Sequence, residues 1–95
     1  MINNFDELIS SGIHIVDFNA TWCGPCKQMG VILDELKDVD IIKVDTDINK
    51  KLVMQYRIMS IPTLIFFKDG KKYTEIVGLH SKEEIEEILN KMTEE

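Results

Sequence analysis

The 95-residue sequence lacks long apolar runs and an excess of basic charge. Its fully apolar stretches are only a few residues long, as at residues 64–67, whereas a membrane span needs ~20. Lys and Arg number 11 against 17 Asp and Glu, which gives a net charge of −6. Nucleic acids and anionic membrane surfaces both attract clustered basic side chains. We therefore expect neither a nucleic acid nor a membrane as a partner.

The sequence also contains only two cysteines and shows no visible secretion signal, since residues 1–7 lack a basic region followed by an apolar block. Cys23 and Cys26 are too close in sequence to staple distant segments. In the reducing cytosol, where we expect this chain, such close pairs are more often catalytic or metal-binding. The length, and a hydrophobic fraction of 44%, fit one globular domain spanning residues 1–95.

Hydrophobic periodicity predicts alternating helices and strands. Helices are expected over residues 5–9, from Cys23 to about Asp38, in a short segment near residues 50–56, and over residues 81–92. Strands are expected over residues 13–18, 41–45, 63–68 and 72–77, the last two joined by a hairpin turn at Asp69-Gly70. Capping boxes are predicted at Asn4–Glu7 and Ser81–Glu84, and Asp47 or Asn49 is expected to cap the short helix. The sum is an α/β fold with a mixed central sheet, in which a parallel β-α-β unit precedes an antiparallel hairpin and helices flank both faces.

The cysteines follow a buried strand directly and open a helix. Cys23 at the helix N-terminus would be favoured as a thiolate, the reactive form of cysteine. Cys26, one turn deeper on the same face, could then attack a mixed disulfide formed at Cys23. A zinc site would need further ligands, and His14 and His80 have no ligand spacing to one another. An inert buried pair is the other alternative.

Four separate pieces of the sequence resemble the thioredoxin family: Val16-Asp17-Phe18, then Trp22-Cys23-Gly24-Pro25-Cys26-Lys27, then Ile61-Pro62-Thr63, and Gly78. The resemblance runs from about Phe5 to Met92. It implies a thioredoxin-like fold with a truncated first strand, because residues 1–3 supply only a stub. It also implies a protein dithiol–disulfide oxidoreductase with Cys23 as nucleophile and Cys26 as resolving thiol.

The same resemblance assigns roles to residues that the pattern alone leaves open. It makes Pro62 a cis residue facing the cysteines, although from the sequence alone it could be a trans residue that starts a strand. It makes Asp17 a buried acid that exchanges a proton with Cys26, and Lys43 a cation approaching that acid; alone, either could face water. The substrate-binding patch that it implies consists of Trp22, Gly24, Pro25, Ile61, Pro62 and Gly78.

The expected partners follow from this chemistry. They are disulfide-containing target proteins and a thioredoxin reductase that returns the electrons, and the chain is expected to be a cytoplasmic monomer. No cofactor or metal is implied, since the electrons reside on the sulfurs. A redox-dependent binding subunit of a larger enzyme is the alternative function. An oxidase or isomerase is disfavoured, because oxidising relatives usually place a histidine between the cysteines where this chain has Gly24-Pro25.

Overall fold

The computed structural model describes residues 1–94 and has a mixed four-stranded sheet flanked by helices. In chain order the elements are α1 (Phe5–Leu8), β1 (Ile13–Asn19), α2 (Gly24–Asp34), β2 (Asp40–Asp45), α3 (Lys50–Gln55), β3 (Thr63–Lys68), β4 (Lys71–Val77) and α4 (Lys82–Glu94). The strand order is β2-β1-β3-β4. β1 and β2 are parallel, and the other two pairs are antiparallel. The predicted combination of a parallel unit and a C-terminal hairpin is confirmed.

The central strand β1 is buried on both faces, which explains its nearly continuous apolar sequence. Ile15 packs in one core cluster with residues of α2, β3 and α4. Val16 and Phe18 pack in a second cluster, with residues of α1 and α3 on the opposite face. Because side chains alternate along a strand, Asp17 lies on the same face as Ile15, beneath α2. The one acidic residue of β1's interior is therefore directed toward the element that carries the cysteines.

The N-terminal segment differs in detail from the prediction. Within residues 1–94 no strand precedes β1, so β2 is an edge of the sheet. α1 has Phe5 buried but leaves Leu8 40% exposed. Asn4 makes no side-chain capping bond, so the predicted capping box there is wrong. A helix of four residues offers too few turns to repeat the expected apolar face.

The long helix is shorter than predicted. α2 ends at Asp34 rather than near Asp38, because the N–H groups of Glu35 and Leu36 bond back three residues, to the carbonyls of Ile32 and Leu33. Asp38 then adopts a left-handed φ of 61° and directs the chain into β2. This tight turn replaces the last helical turn that the periodicity predicts.

The predicted hairpin turn and the predicted cap of α4 are confirmed, but Asn49 does not cap α3. Asp69 and Gly70 both have positive φ, 50° and 84°, as a two-residue hairpin of this hand requires. The Glu84 N–H donates to Ser81 Oγ at 3.1 Å and the Ser81 N–H to Glu84 Oε1 at 3.2 Å, which confirms the capping box of α4. Asn49 precedes α3 without capping it, because its side chain instead bonds the backbone of Ile2 and Asp45. Among the described residues, no helix is long and apolar enough to cross a membrane.

Candidate active site

The two cysteines lie where β1 passes into α2. Cys23 is the N-cap residue of α2, in an extended conformation with φ −93° and ψ 112°. Cys26 lies in the first turn of the helix, and the two form a disulfide whose Cα atoms are 5.2 Å apart. Their exposed fractions are only 6% and 4%. The structure therefore shows the oxidised protein, with its sulfurs just below the surface.

The local electrostatics favour negative charge at Cys23. Its Sγ accepts a hydrogen bond of 3.2 Å from the Cys26 N–H, one of the free amides of the helix start. Pro25 in the first turn removes an amide that would have no partner there. No acidic residue lies in that turn to oppose a thiolate. Because backbone amides and the helix dipole both stabilise a thiolate, Cys23 has the surroundings of a reactive cysteine.

A second segment, from the start of β3, packs against the cysteines. The Ile61–Pro62 bond is cis, and Ile61 is half-buried against Ala20, Cys23 and Cys26. The pairing of Phe18 with Thr63 brings this segment beside the end of β1. A register set by the antiparallel β1–β3 pair thus assembles two sequence motifs that lie far apart in the chain.

The other residues of the predicted patch lie next to Pro62 or at the start of α2. The Gly78 N–H donates to the Pro62 carbonyl at 2.8 Å, and Gly78 has a φ of 88° that disfavours other residues. Gly24 and Pro25 are exposed at the start of α2. Trp22 is 70% exposed, and its indole N–H donates to Asp47 Oδ2 at 2.9 Å. A large aromatic ring is therefore held on the surface beside the cysteines.

Asp17 lies under this surface in an unfavourable environment for a charged group. Its side chain is almost completely buried, and Oδ1 has no hydrogen-bond partner. Burial raises the pKa of Asp17 from 3.8 to about 6, against an opposing effect of the Lys43 ammonium. The interpretation of Asp17 as an exposed edge carboxylate is therefore wrong. A carboxyl group that titrates near neutral pH can take up and release protons.

A shallow groove of about 390 Å³ connects Asp17 with Cys26. Cys26 and Asp17 both line it, as do Lys27 and Lys43. Lys43 lies opposite Asp17 in the register of β1 and β2 and is 52% exposed along its side chain. Asp17, Cys26 and Lys43 therefore line one groove, whereas Cys23 lies at the N-cap of α2 and is joined to Cys26 by the disulfide.

Two acidic residues of this region were not identified from the sequence. Asp47, considered only as a helix cap, instead accepts the Trp22 indole hydrogen bond. Asp34, at the end of α2, forms an ion pair with Lys43, with 3.6 Å between Oδ1 and Nζ. Both pairs join different elements, so no local pattern could have indicated them.

The described residues offer no further ligands that would complete a metal site with the cysteines. Within residues 1–94, no three His, Cys, Asp or Glu side chains are grouped so that they could hold an ion. His14 instead contacts Asp40, and His80 contacts Glu84, both at surface positions. The hydrogen bond that the Glu84 carboxylate accepts from the imidazole raises the pKa of His80. Each histidine thus has a carboxylate partner of its own.

Comparisons with known proteins agree with this geometry. The Thioredoxin family model matches residues 2–91. A thioredoxin of Staphylococcus haemolyticus is 48% identical over 94% of this chain and 90% of its own length, and one of Staphylococcus epidermidis is 47% identical over the same shares. Among solved structures, a mutant thioredoxin from Halobacterium salinarum superposes with a TM-score of 0.84 at 32% identity, over 93% of this chain and 81% of that one. Malassezia sympodialis thioredoxin gives a TM-score of 0.81 at 30% identity, over 92% and 83%.

The fold, the disulfide at the start of α2 and these relatives lead to one conclusion about activity and family. The redox-active cysteine pair is present, and the protein is a dithiol–disulfide oxidoreductase. Its family implies disulfide-containing targets and a thioredoxin reductase as partners. The chain belongs to the thioredoxin family.

Proposed function

We propose that the protein reduces protein disulfides, with Cys23 as the attacking thiolate and Cys26 as the resolving thiol. In the reduced protein, Cys23 Sγ attacks one sulfur of a target disulfide, and the other target sulfur leaves as a thiolate that takes up a proton. Cys26 then loses its proton and attacks Cys23 Sγ. This second exchange forms the Cys23–Cys26 disulfide and releases the second target sulfur, so two electrons pass to the target.

The observation that supports this assignment is the different surroundings of the two sulfurs. Cys23 Sγ accepts the Cys26 N–H at the helix start, where a thiolate is stabilised. Cys26 instead lines the groove that it shares with Asp17. The first sulfur is therefore suited to attack, and the second to lose a proton to an acceptor before it attacks.

Asp17 is the proposed proton acceptor for Cys26. Its raised pKa, about 6, makes it a better base than an exposed aspartate. The groove supports transfer through water. Lys43 is proposed to modulate this acid from β2, since its ammonium lowers the pKa that burial raises.

The proposed docking surface is the rim around the disulfide, formed by Trp22, Gly24, Pro25, Ile61 and Gly78 together with the buried Pro62. An extended target segment would hydrogen-bond the backbone at Ile61, as a strand adds to a sheet edge. Trp22 is suited to cover such a segment, because Asp47 holds its exposed ring in place. Rim glycines leave room for a backbone to approach.

We expect a cytoplasmic monomer of one domain that a reductase recharges, with no bound cofactor, because the exchange chemistry resides on the sulfurs. The family match over residues 2–91 supports the single domain.

Cys26→Ser tests the assigned roles directly. The variant should still form mixed disulfides through Cys23 but should not resolve them, so multiple-turnover reduction of insulin disulfides is expected to fall by at least ~100-fold. Cys23→Ser is the matched control, because it should neither reduce the substrate nor trap target proteins. Insulin reduction and nonreducing gels of trapped complexes provide the two measurements.

The outcome also separates the carrier from the alternative binding subunit. Many different trapped proteins support a general reductant, whereas a single trapped partner supports a dedicated subunit. Continued multiple turnover by Cys26→Ser would contradict the assignment of Cys26 as the resolving thiol.

A further inference from the structure

The ammonium of Lys43 acts electrostatically on two carboxylates of different character. Lys43 is directly opposite Asp17 in the parallel register of β1 and β2, so the two side chains emerge on the face that α2 covers. Lys43 Nζ also lies 3.6 Å from Oδ1 of Asp34. Asp17 is buried and lacks a hydrogen-bond partner at Oδ1, whereas the Asp34 side chain is 72% exposed. One cation therefore interacts with both an internal and a surface carboxylate.

The Lys43 side chain passes close to α2 at Gly30. A Cβ built at Gly30 would lie 4.0 Å from Lys43 Nζ, so the ammonium runs beside the helix at this glycine. Asp34 lies four residues later, about one helical turn further along the same side. The ion pair thus holds the ammonium along the outer side of α2, toward solvent.

We propose that Asp34 is a positioning residue, which holds Lys43 along α2 and so limits the positive charge that reaches Asp17. This inference rests on the proposed function, in which Asp17 accepts the proton of Cys26. A cation held closer to Asp17 would stabilise its carboxylate and make it a weaker base. By binding Lys43 from the solvent side, Asp34 preserves the basicity that the proton transfer needs.

The exposure of the pair argues against a mainly structural role. Lys43 and Asp34 are 52% and 72% exposed along their side chains, and exposed ion pairs contribute little to stability because water and salt screen them. The position of the Lys43 charge matters more for its effect on Asp17, because Asp17 lies in a less polar environment where electrostatic interactions are stronger.

Few other charged or titratable groups of the described chain face Asp17, so the effect of Asp34 on the Asp17 pKa can be measured. From α2, Cys26, Lys27 and Asp34 line the same groove, and Lys43 lines it from β2. On β3 the residue opposite Asp17 is Leu64, which does not titrate. In the oxidised protein Cys26 does not titrate either, since it is in the disulfide.

The experiment is a carbon-13 NMR titration of the Asp17 carboxyl carbon in the oxidised protein. In Asp34→Asn the pKa of Asp17 should fall by about half a pH unit, because Lys43 is released toward it and a negative charge is lost. Lys43→Gln supplies the second arm of a double-mutant cycle. In the Lys43→Gln background, the fall in the Asp17 pKa caused by Asp34→Asn should be about a third as large or less, because the lysine that carries the effect is absent. Glu35→Gln, one residue further along the chain, is the matched control and should leave the pKa of Asp17 unchanged.

Two results would overturn the proposal: an unchanged Asp17 pKa in Asp34→Asn, or an equal fall with and without Lys43. The second would mean that the carboxylates interact directly. The pH profile of disulfide reduction separates this failure from that of the proposed function. If Asp34→Asn lowers the pKa of Asp17 as expected, the acidic limb of the rate profile should move down by the same amount. If the pKa moves and the rate profile does not, Asp17 is not the proton acceptor, and the functional part of the proposal is overturned with it.

Discussion

Asp17 shows how a single residue can conflict with the stability of its fold. It occupies a position in β1 that its neighbours fill with fully buried apolar side chains. Its carboxyl group has lost water without gaining a hydrogen bond at Oδ1, which disfavours the charged form. A residue that costs stability in this way is expected where function requires it.

The pH dependence of stability follows from this burial. Below pH 3.8 Asp17 is protonated in both the folded and the unfolded protein. As the pH rises, the unfolded chain ionises first, so the free energy of unfolding falls until the pH passes the folded pKa of about 6. Asp17→Asn removes this ionisation while keeping the shape. At pH 7 to 8 the variant should be more stable by about 3 kcal/mol at most, and the difference should disappear below about pH 4.

Urea unfolding at a series of pH values measures this difference, and insulin reduction measures the rate. Asp17→Asn should reduce disulfides about 10-fold or more slowly, because Cys26 loses its proton acceptor. Asp38→Asn removes an exposed carboxylate after α2 and should leave the pH dependence unchanged. Equal stability at neutral pH and an equal rate would show that Asp17 behaves as an ordinary solvated acid.

At the scale of the element, α2 combines a reactive start with a weak middle. Its N-terminus carries the cysteines, and Gly30 lies near its centre. Glycine in a helix interior lowers stability relative to alanine, because glycine has more conformational freedom in the unfolded chain and loses it on folding. A Cβ at Gly30 would meet only Lys43 Nζ, at 4.0 Å, an ordinary contact. The helix therefore has space for a side chain there.

Gly30→Ala is accordingly expected to raise the free energy of unfolding by about 0.5 to 1 kcal/mol. Gly70→Ala is the contrasting variant, because Gly70 has a φ of 84° in the hairpin turn, and a side chain there should cost about 1 kcal/mol or more. Chemical denaturation of both variants tests the pair. A loss of stability in Gly30→Ala would mean that α2 requires a local bend at this glycine, which an alanine resists.

At the scale of the whole molecule, the register of β1 and β3 brings the Ile61–Pro62 segment beside the disulfide. Gly24 and Pro25 between the cysteines contribute no charge to stabilise a thiolate beyond what the helix start supplies. The reduction potential is therefore expected near −270 mV, roughly the value typical of disulfide-reducing members of this family.

Equilibration with glutathione buffers measures this potential. Pro25→His should raise it by roughly 30 mV or more, because an imidazolium beside Cys23 would stabilise the reduced form. Pro25→Ala is the matched control and should change it less. A wild-type potential at or above about −180 mV would instead indicate a disulfide isomerase or oxidase.

The sequence alone was sufficient wherever the determining interactions are local. Periodicity identified every helix and strand of the described chain, Asp69-Gly70 specified its turn through backbone conformation, and Ser81 with Glu84 specified a helix start through reciprocal hydrogen bonds. The spacing of the cysteines after a buried strand indicated redox chemistry before any fold was known. These features depend on residues within one or two turns of each other.

The features that only the tertiary structure decided all depend on distant partners. Hydrogen bonds with the backbone of Ile2 and Asp45 drew the Asn49 side chain away from its expected capping bond. The sheet register placed Lys43 opposite Asp17, and the crossing of α2 over β2 gave that lysine Asp34 as a second partner. Charge and hydrogen-bonding capacity are properties of a single residue. Burial and interactions with distant groups arise only when remote segments pack together, and these two factors determine the basicity of Asp17.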